Sequence, residues 1–183
     1  MHLPESDRRQ FAIALASLGF AALVPDGVSA GTTAPPTGAV LAAAEGEHLI
    51  HFRDGGDIFI KASAAAGFPD LAVGTQQVKV GTGIPTHRHP AMSEAFFVLA
   101  GSGTVVLDDV RHPFDKGATI VIPKNTWHSF ENPAQELLVL WIVSPAGLES
   151  FFRETCSAPG APPKGLSREQ TRAIALRYGT EFK

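Results

Sequence analysis

The sequence predicts an all-β fold, a sandwich or barrel of antiparallel strands with short C-terminal helices. Three observations predict it. From about Glu45 onward the chain runs in short β-rich stretches punctuated at regular intervals by Gly, Asp and Pro. It contains no GxGxxG fingerprint and no phosphate loop, so a nucleotide-binding α/β fold is not supported. With 44% apolar and 18% charged residues, the 183-residue chain is globular in composition and long enough for one domain with a sizeable core.

Taken in order, the chain begins with Arg8-Arg9 ahead of a mostly apolar run, Phe11–Val24, that stops at Pro25. As a helix the run would rise only about 21 Å, too short for a comfortable membrane span. Val28-Ser29-Ala30 then has the small-residue form that signal peptidase reads. Residues 1–30 are therefore expected to be a cleaved export signal, and the protein to be periplasmic, with no membrane span left after cleavage. The paired arginines followed by Gln10-Phe11 resemble a twin-arginine signal, which carries proteins already folded around their metal; an ordinary secretory signal is the alternative. Mass spectrometry of the exported protein checks this: a first residue at Gly31 is the expected result, and an intact Met1 overturns it.

Residues 31–44, "GTTAPPTGAVLAAA", read as a linker. The barrel is expected over residues 45–155. "LIHFR" and "DIFIKAS" flank Gly55-Gly56 as a hairpin, and "TQQVKV", "EAFFVLAG", "GTVVLDD", "ATIVIP", "WHSFEN" and "ELLVLWIV" follow as strands. The nearly continuous apolar run "LLVLWIV" wants cover on both faces, which a homodimer would supply. After Pro145 the period changes. "PAGLESFFRETC" predicts a short helix with Leu148, Phe151 and Phe152 on one face. In residues 156–183 a loop leads to a second helix, with Ser167 and Gln170 spaced as a capping box and Gly179 as its stop. These helices are expected to cover a barrel face or sheet edge and to carry no chemistry.

Charge and cysteine content exclude several functions. The net charge is −3 and the Lys and Arg residues are scattered, so nucleic acid is not an expected partner. The single cysteine, Cys156, has no intrachain partner and no nearby His in sequence, which makes it a bystander.

The chemistry concentrates in "GTGIPTHRHPAMSEAFFVLAG". Side chains alternate along a strand, so His87 and His89 point the same way, and a turn at Pro90 brings Glu94 back on the next strand. His128 lies far downstream in "GATIVIPKNTWHSFEN". Three imidazoles and one carboxylate would suit a single divalent transition metal, one of Fe, Mn, Ni, Co, Cu or Zn, and leave coordination positions open. His48, His51 and His112 read instead as surface or hairpin residues. If Glu94 faces inward, so do Phe96 and Val98, and the same alternation puts Phe130 inward with His128. These three side chains are the expected lining of a pocket for a small, flat, apolar substrate.

Here the chain resembles a single-domain bacterial cupin. The family's first motif, G-x5-H-x-H-x3,4-E-x6-G, is matched by Gly81, His87, His89, Glu94 and Gly101. Its second, G-x5-P-x-G-x2-H-x3-N, is matched by Gly117, Pro123, His128 and Asn132, with Asn125 where Gly is usual. Asn is the residue besides Gly that best tolerates a left-handed turn. The resemblance implies a double-stranded β-helix or jelly-roll barrel, and it implies His87, His89, Glu94 and His128 as metal ligands. The "SPAGLESFFRE" ending is similar to quercetin-dioxygenase-like members. A metal-dependent dioxygenase acting on an aromatic or enolisable small molecule is thus the leading expectation, with Glu94 as a catalytic base. The alternatives are a redox-silent lyase or isomerase and a non-enzymatic binding protein, since this fold hosts all three.

Overall fold

The computed structural model describes residues 38–132 and 134–183, so the expected export signal and most of the linker lie outside the described residues. Eleven strands and two helices follow one another in this order: β1 (Glu47–Ile50), β2 (Asp57–Ala62), β3 (Ala72–Val78), β4 (Ile84–Arg88), β5 (Ser93–Ala100), β6 (Gly103–Leu107), β7 (Val110–Phe114), β8 (Thr119–Ile122), β9 (His128–Glu131), β10 (Leu137–Ser144), α1 (Leu148–Thr155), α2 (Arg168–Arg177) and β11 (Glu181–Phe182). They form a six-stranded sheet, β1-β2-β3-β10-β5-β8, and a five-stranded sheet, β11-β4-β9-β6-β7. Every ladder is antiparallel. This is the all-β barrel the sequence predicts.

The core lies between the sheets because each strand sends alternate residues inward. Along β5, Glu94, Phe96 and Val98 are buried while Ser93, Phe97 and Ala100 are exposed. Phe96 meets Phe130 of β9 across the barrel with ring centroids 4.8 Å apart. Trp141 of β10 is 1% exposed, and its indole occupies the space over Gly74, where an added Cβ would come within 2.2 Å of the ring. Each such fully buried aromatic or aliphatic side chain contributes on the order of 1.5–3 kcal/mol. The expected cover of "LLVLWIV" is met on one face only. Val139, Trp141 and Val143 lie in the core, whereas Leu138 and Ile142, with Phe97 and Val121 on neighbouring strands, are exposed.

Asn132 ties the end of β9 to the chain between β3 and β4. Its side-chain oxygen accepts from Gly83 N at 2.9 Å, and its amide donates to Val78 O and Lys79 O at 3.1 and 3.0 Å. Asn125 has φ +67°, the left-handed conformation expected of it.

Three local expectations change. The hairpin between β1 and β2 forms, but β1 ends at Ile50 and the loop runs from His51 to Gly56. His112, expected as a surface or hairpin residue, lies beyond the hairpin turn, which falls at Asp108-Asp109 with φ of +43° and +70°, as a two-residue turn between β6 and β7 requires. His112 is exposed on β7, an edge strand that tolerates Pro113. The C-terminal residues form β11, which extends the second sheet by pairing with β4.

Both helices form as expected. α1 buries Leu148, Phe151 and Phe152, and α2 begins with the complete Ser167–Gln170 capping box. Cys156 is 1% exposed, and burial pushes its thiol pKa up, which suits an inert core residue. No helix among the described residues is long and apolar enough to cross a membrane.

Candidate metal centre and its cavity

Both sheets contribute to one cluster. β4 and β9 pair so that His87 stands opposite His128. His89 lies just beyond the end of β4, where its carbonyl accepts from Asn125 N at 2.8 Å. Glu94 enters from β5 in the other sheet. One ligand-capable atom from each of His87, His89, Glu94 and His128 lies within 4.8 Å of the other three, and all four residues are buried. The three histidine rings pack with centroids 4.0 to 5.5 Å apart.

Each imidazole is held from behind. His87 Nδ1 donates to Pro85 O at 2.8 Å and His128 Nδ1 donates to Thr126 O at 3.0 Å. A carbonyl can only accept, so these rings carry their proton on Nδ1 and keep a lone pair on Nε2. His89 Nδ1 is paired with Thr180 Oγ1 at 3.1 Å. Burial, followed by the proximity of His128 and His89, pushes the His87 pKa well below its ordinary value, so this ring is neutral at physiological pH.

The inward-facing atoms are left without partners. Glu94 Oε2 is 3.1 Å from His128 Nε2 and 3.3 Å from His89 Nε2, yet none of the three atoms has an aligned hydrogen bond. Burial alone would raise the Glu94 pKa, but the close approach of the His128 and His89 rings outweighs it and holds the carboxyl below the usual range. The Nδ1 hydrogen bond of His128 leaves a lone pair facing the carboxylate, an arrangement that a cation relieves. The donor set therefore fits a divalent metal ion.

The cluster opens on a cavity of about 670 Å³ through His87 and Glu94. Its apolar wall includes Phe96, Phe151, Phe152 and Phe182, and its polar lining includes His51, Arg53 and Gln76. Of the expected pocket residues, Phe96 lines this cavity. Val98 and Phe130 are 0% and 2% exposed in the core and do not reach it. His48 is a half-buried surface residue as expected, stacked on Phe59 and paired with Asp57 at 2.7 Å. His51 is not on the surface: it is 3% exposed, packs edge-on against Phe152 and faces the cavity. The second helix and tail also depart from expectation. Thr180 braces His89, and Thr171, Arg172 and Phe182 line the cavity. The sequence offered only a weak signal for them, a β-capable Thr-Glu-Phe after the helix stop at Gly179.

Comparisons with known proteins agree with this geometry. Residues 74–144 match the cupin domain family profile. Protein SchB of Streptomyces halstedii is 40% identical over 85 residues, covering 44% of this chain and 59% of that protein. An uncharacterized protein of Methanocaldococcus jannaschii is 34% identical over 70 residues, covering 35% of this chain and 56% of its own. The chain thus spans a little over half the length of these relatives. A solved structure described as a predicted oxalate decarboxylase from Thermotoga maritima is similar with a TM-score of 0.52 at 19% identity, covering 58% of this chain and 99% of that one. At that identity the likeness is one of fold. The match over residues 74–144 and this likeness agree on the fold, the double-stranded β-helix of cupins.

Proposed function

We propose that this cupin is a metal-dependent enzyme that acts on a small aromatic or enolisable molecule, with dioxygen as co-substrate. One observation carries the proposal: of four buried, mutually facing metal-capable groups, His87 and Glu94 open on a cavity walled by phenylalanines. In this reading His87, His89, Glu94 and His128 hold the ion. When bound, a redox-active ion supplies Lewis acidity and a path for electrons between substrate and dioxygen.

The protein's own contribution is geometry, dryness and a proton acceptor. The Nδ1 hydrogen bonds to Pro85 O and Thr126 O, and the contact with Thr180 Oγ1, fix ring orientation at the three histidines. Phe96, Phe151, Phe152 and Phe182 offer flat apolar surface to an aromatic substrate and keep water from it. Among the described residues Glu94 is the only carboxylate lining the cavity, and in its ionised form it can accept a substrate hydroxyl proton.

An oxygen electrode tests the reading, with protein loaded in turn with iron, manganese, nickel, cobalt or copper and offered flavonols and simple enols. Metal-dependent oxygen uptake that stops on chelation is the expected result. Absence of uptake with every metal overturns the dioxygenase reading, and a protein that binds zinc and isomerises or cleaves its substrate without oxygen would replace it with the lyase or isomerase reading.

A further inference from the structure

The cavity has a second polar pole, remote in sequence from the four-group cluster. His51 and Arg53 belong to the loop between β1 and β2, Gln76 belongs to the inner face of β3, and all three line the cavity. Asp54 shapes this loop: its carboxylate accepts from Gly56 N at 3.2 Å and from Lys79 N at 3.0 Å. Its remaining contact with Arg53 is a long one, 3.5 Å to Nη2. Arg53 Nε is buried and has no hydrogen-bond partner. A buried donor on a charged group is costly to leave unmade, more so than a neutral one. Arg53 nonetheless lines the cavity, and with only that long contact to Asp54 its outer guanidinium nitrogens are left to meet an acceptor brought in by a ligand.

The surrounding charge favours the same kind of ligand. Arg53, Arg168, Arg172 and Lys183 all line the cavity, against Glu94 as its single carboxylate among the described residues. His51 adds a neutral donor. Burial, then the Arg53 charge, pushes its pKa well below the ordinary value, and Arg53 N donates to its Nδ1 at 3.0 Å, which leaves the ring proton on Nε2.

We propose that the cavity binds a small monocarboxylate with an apolar body, its carboxylate received by Arg53 and its body lying against the phenylalanine wall. The planar guanidinium presents paired N–H donors that match the two oxygens of a carboxylate, which a lysine could not do. The proposal rests on the reading of this cavity as the substrate site and gives that site a polarity. The anionic end lies toward the β1–β2 loop, and the reacting end lies toward His87 and Glu94.

The probes are benzoate, phenylacetate and their neutral amides, titrated calorimetrically into the full chain. Titrations are run on protein as purified and again after metal removal with EDTA followed by dialysis into buffer. Each acid is expected to bind at least ~10-fold more tightly than its amide in both states. Arg53→Gln is expected to abolish that preference, and His128→Ala to keep it. Equal affinities of acid and amide for the wild-type protein overturn the proposal, as does a preference that survives Arg53→Gln. A preference that vanishes with the metal also overturns it, because the carboxylate then sits on the ion. Should Arg53→Gln fail to fold, the acid–amide comparison in metal-free wild-type protein decides by itself. A protein that takes up no metal yet keeps an Arg53-dependent preference supports this proposal while sinking the metal-enzyme reading.

Discussion

Glu94→Gln is expected to reduce turnover by at least ~10²-fold while leaving the protein folded and largely metal-loaded. Three imidazoles can hold a divalent ion without the carboxylate, so in the proposed function Glu94 is the member of the set that would give up its place to substrate. It lines the cavity, where its oxygen can meet a substrate hydroxyl, and its lowered pKa keeps it ionised. Gln preserves the shape and removes that charge. The change is tolerable to the fold because Gln is nearly isosteric with Glu and brings no charge into the buried site. Metal content and turnover must be measured on the same sample. A variant that is metal-loaded and fully active rules out the base role, and one that is folded but metal-free reduces Glu94 to a ligand.

His87→Ala, His89→Ala and His128→Ala are each expected to weaken metal binding by more than about 100-fold, beyond the 10–100-fold typical of losing a supporting hydrogen bond. Each removes one of four groups whose atoms converge within 4.8 Å. The barrel should persist in all three, because its core of Phe96, Phe130, Trp141 and the inward aliphatics is apolar and packs independently of the cluster. Thr180→Val provides the graded comparison. It keeps the volume but removes the hydroxyl paired with His89 Nδ1, so metal affinity should fall by about 10–100-fold. Elemental analysis after dialysis against a chelator reads all four variants. Full metal retention by the three histidine variants overturns the ligand assignment, and wild-type affinity in Thr180→Val removes the supporting role of the tail.

Much of this protein was legible in its sequence wherever the determining interactions are local or periodic. Alternation along one strand is enough to put Glu94, Phe96 and Val98 on the inner face, and the structure buries all three. The spacing of His87, His89 and Glu94 needs only a strand, a turn at Pro90 and a returning strand, which is the path from β4 to β5. Ser167 with Gln170, and Asn125 in a left-handed turn, are likewise decided within a few residues. The tertiary structure decided what depends on distant segments meeting. Alternation gives the face of a strand but not the depth of each position, so Phe96 reaches the cavity while Val98 and Phe130 are sealed in the core. His51 sits in a polar, Gly-containing loop that reads as surface until Phe152 of α1 packs against it. Thr180 reaches His89 across 91 positions of sequence, because β11 pairs with the end of β4 that carries His87. Neither residue carries a local mark of its role: each acquires it when the C-terminal segment folds back over the barrel, and a contact at that sequence separation has no period from which to read it.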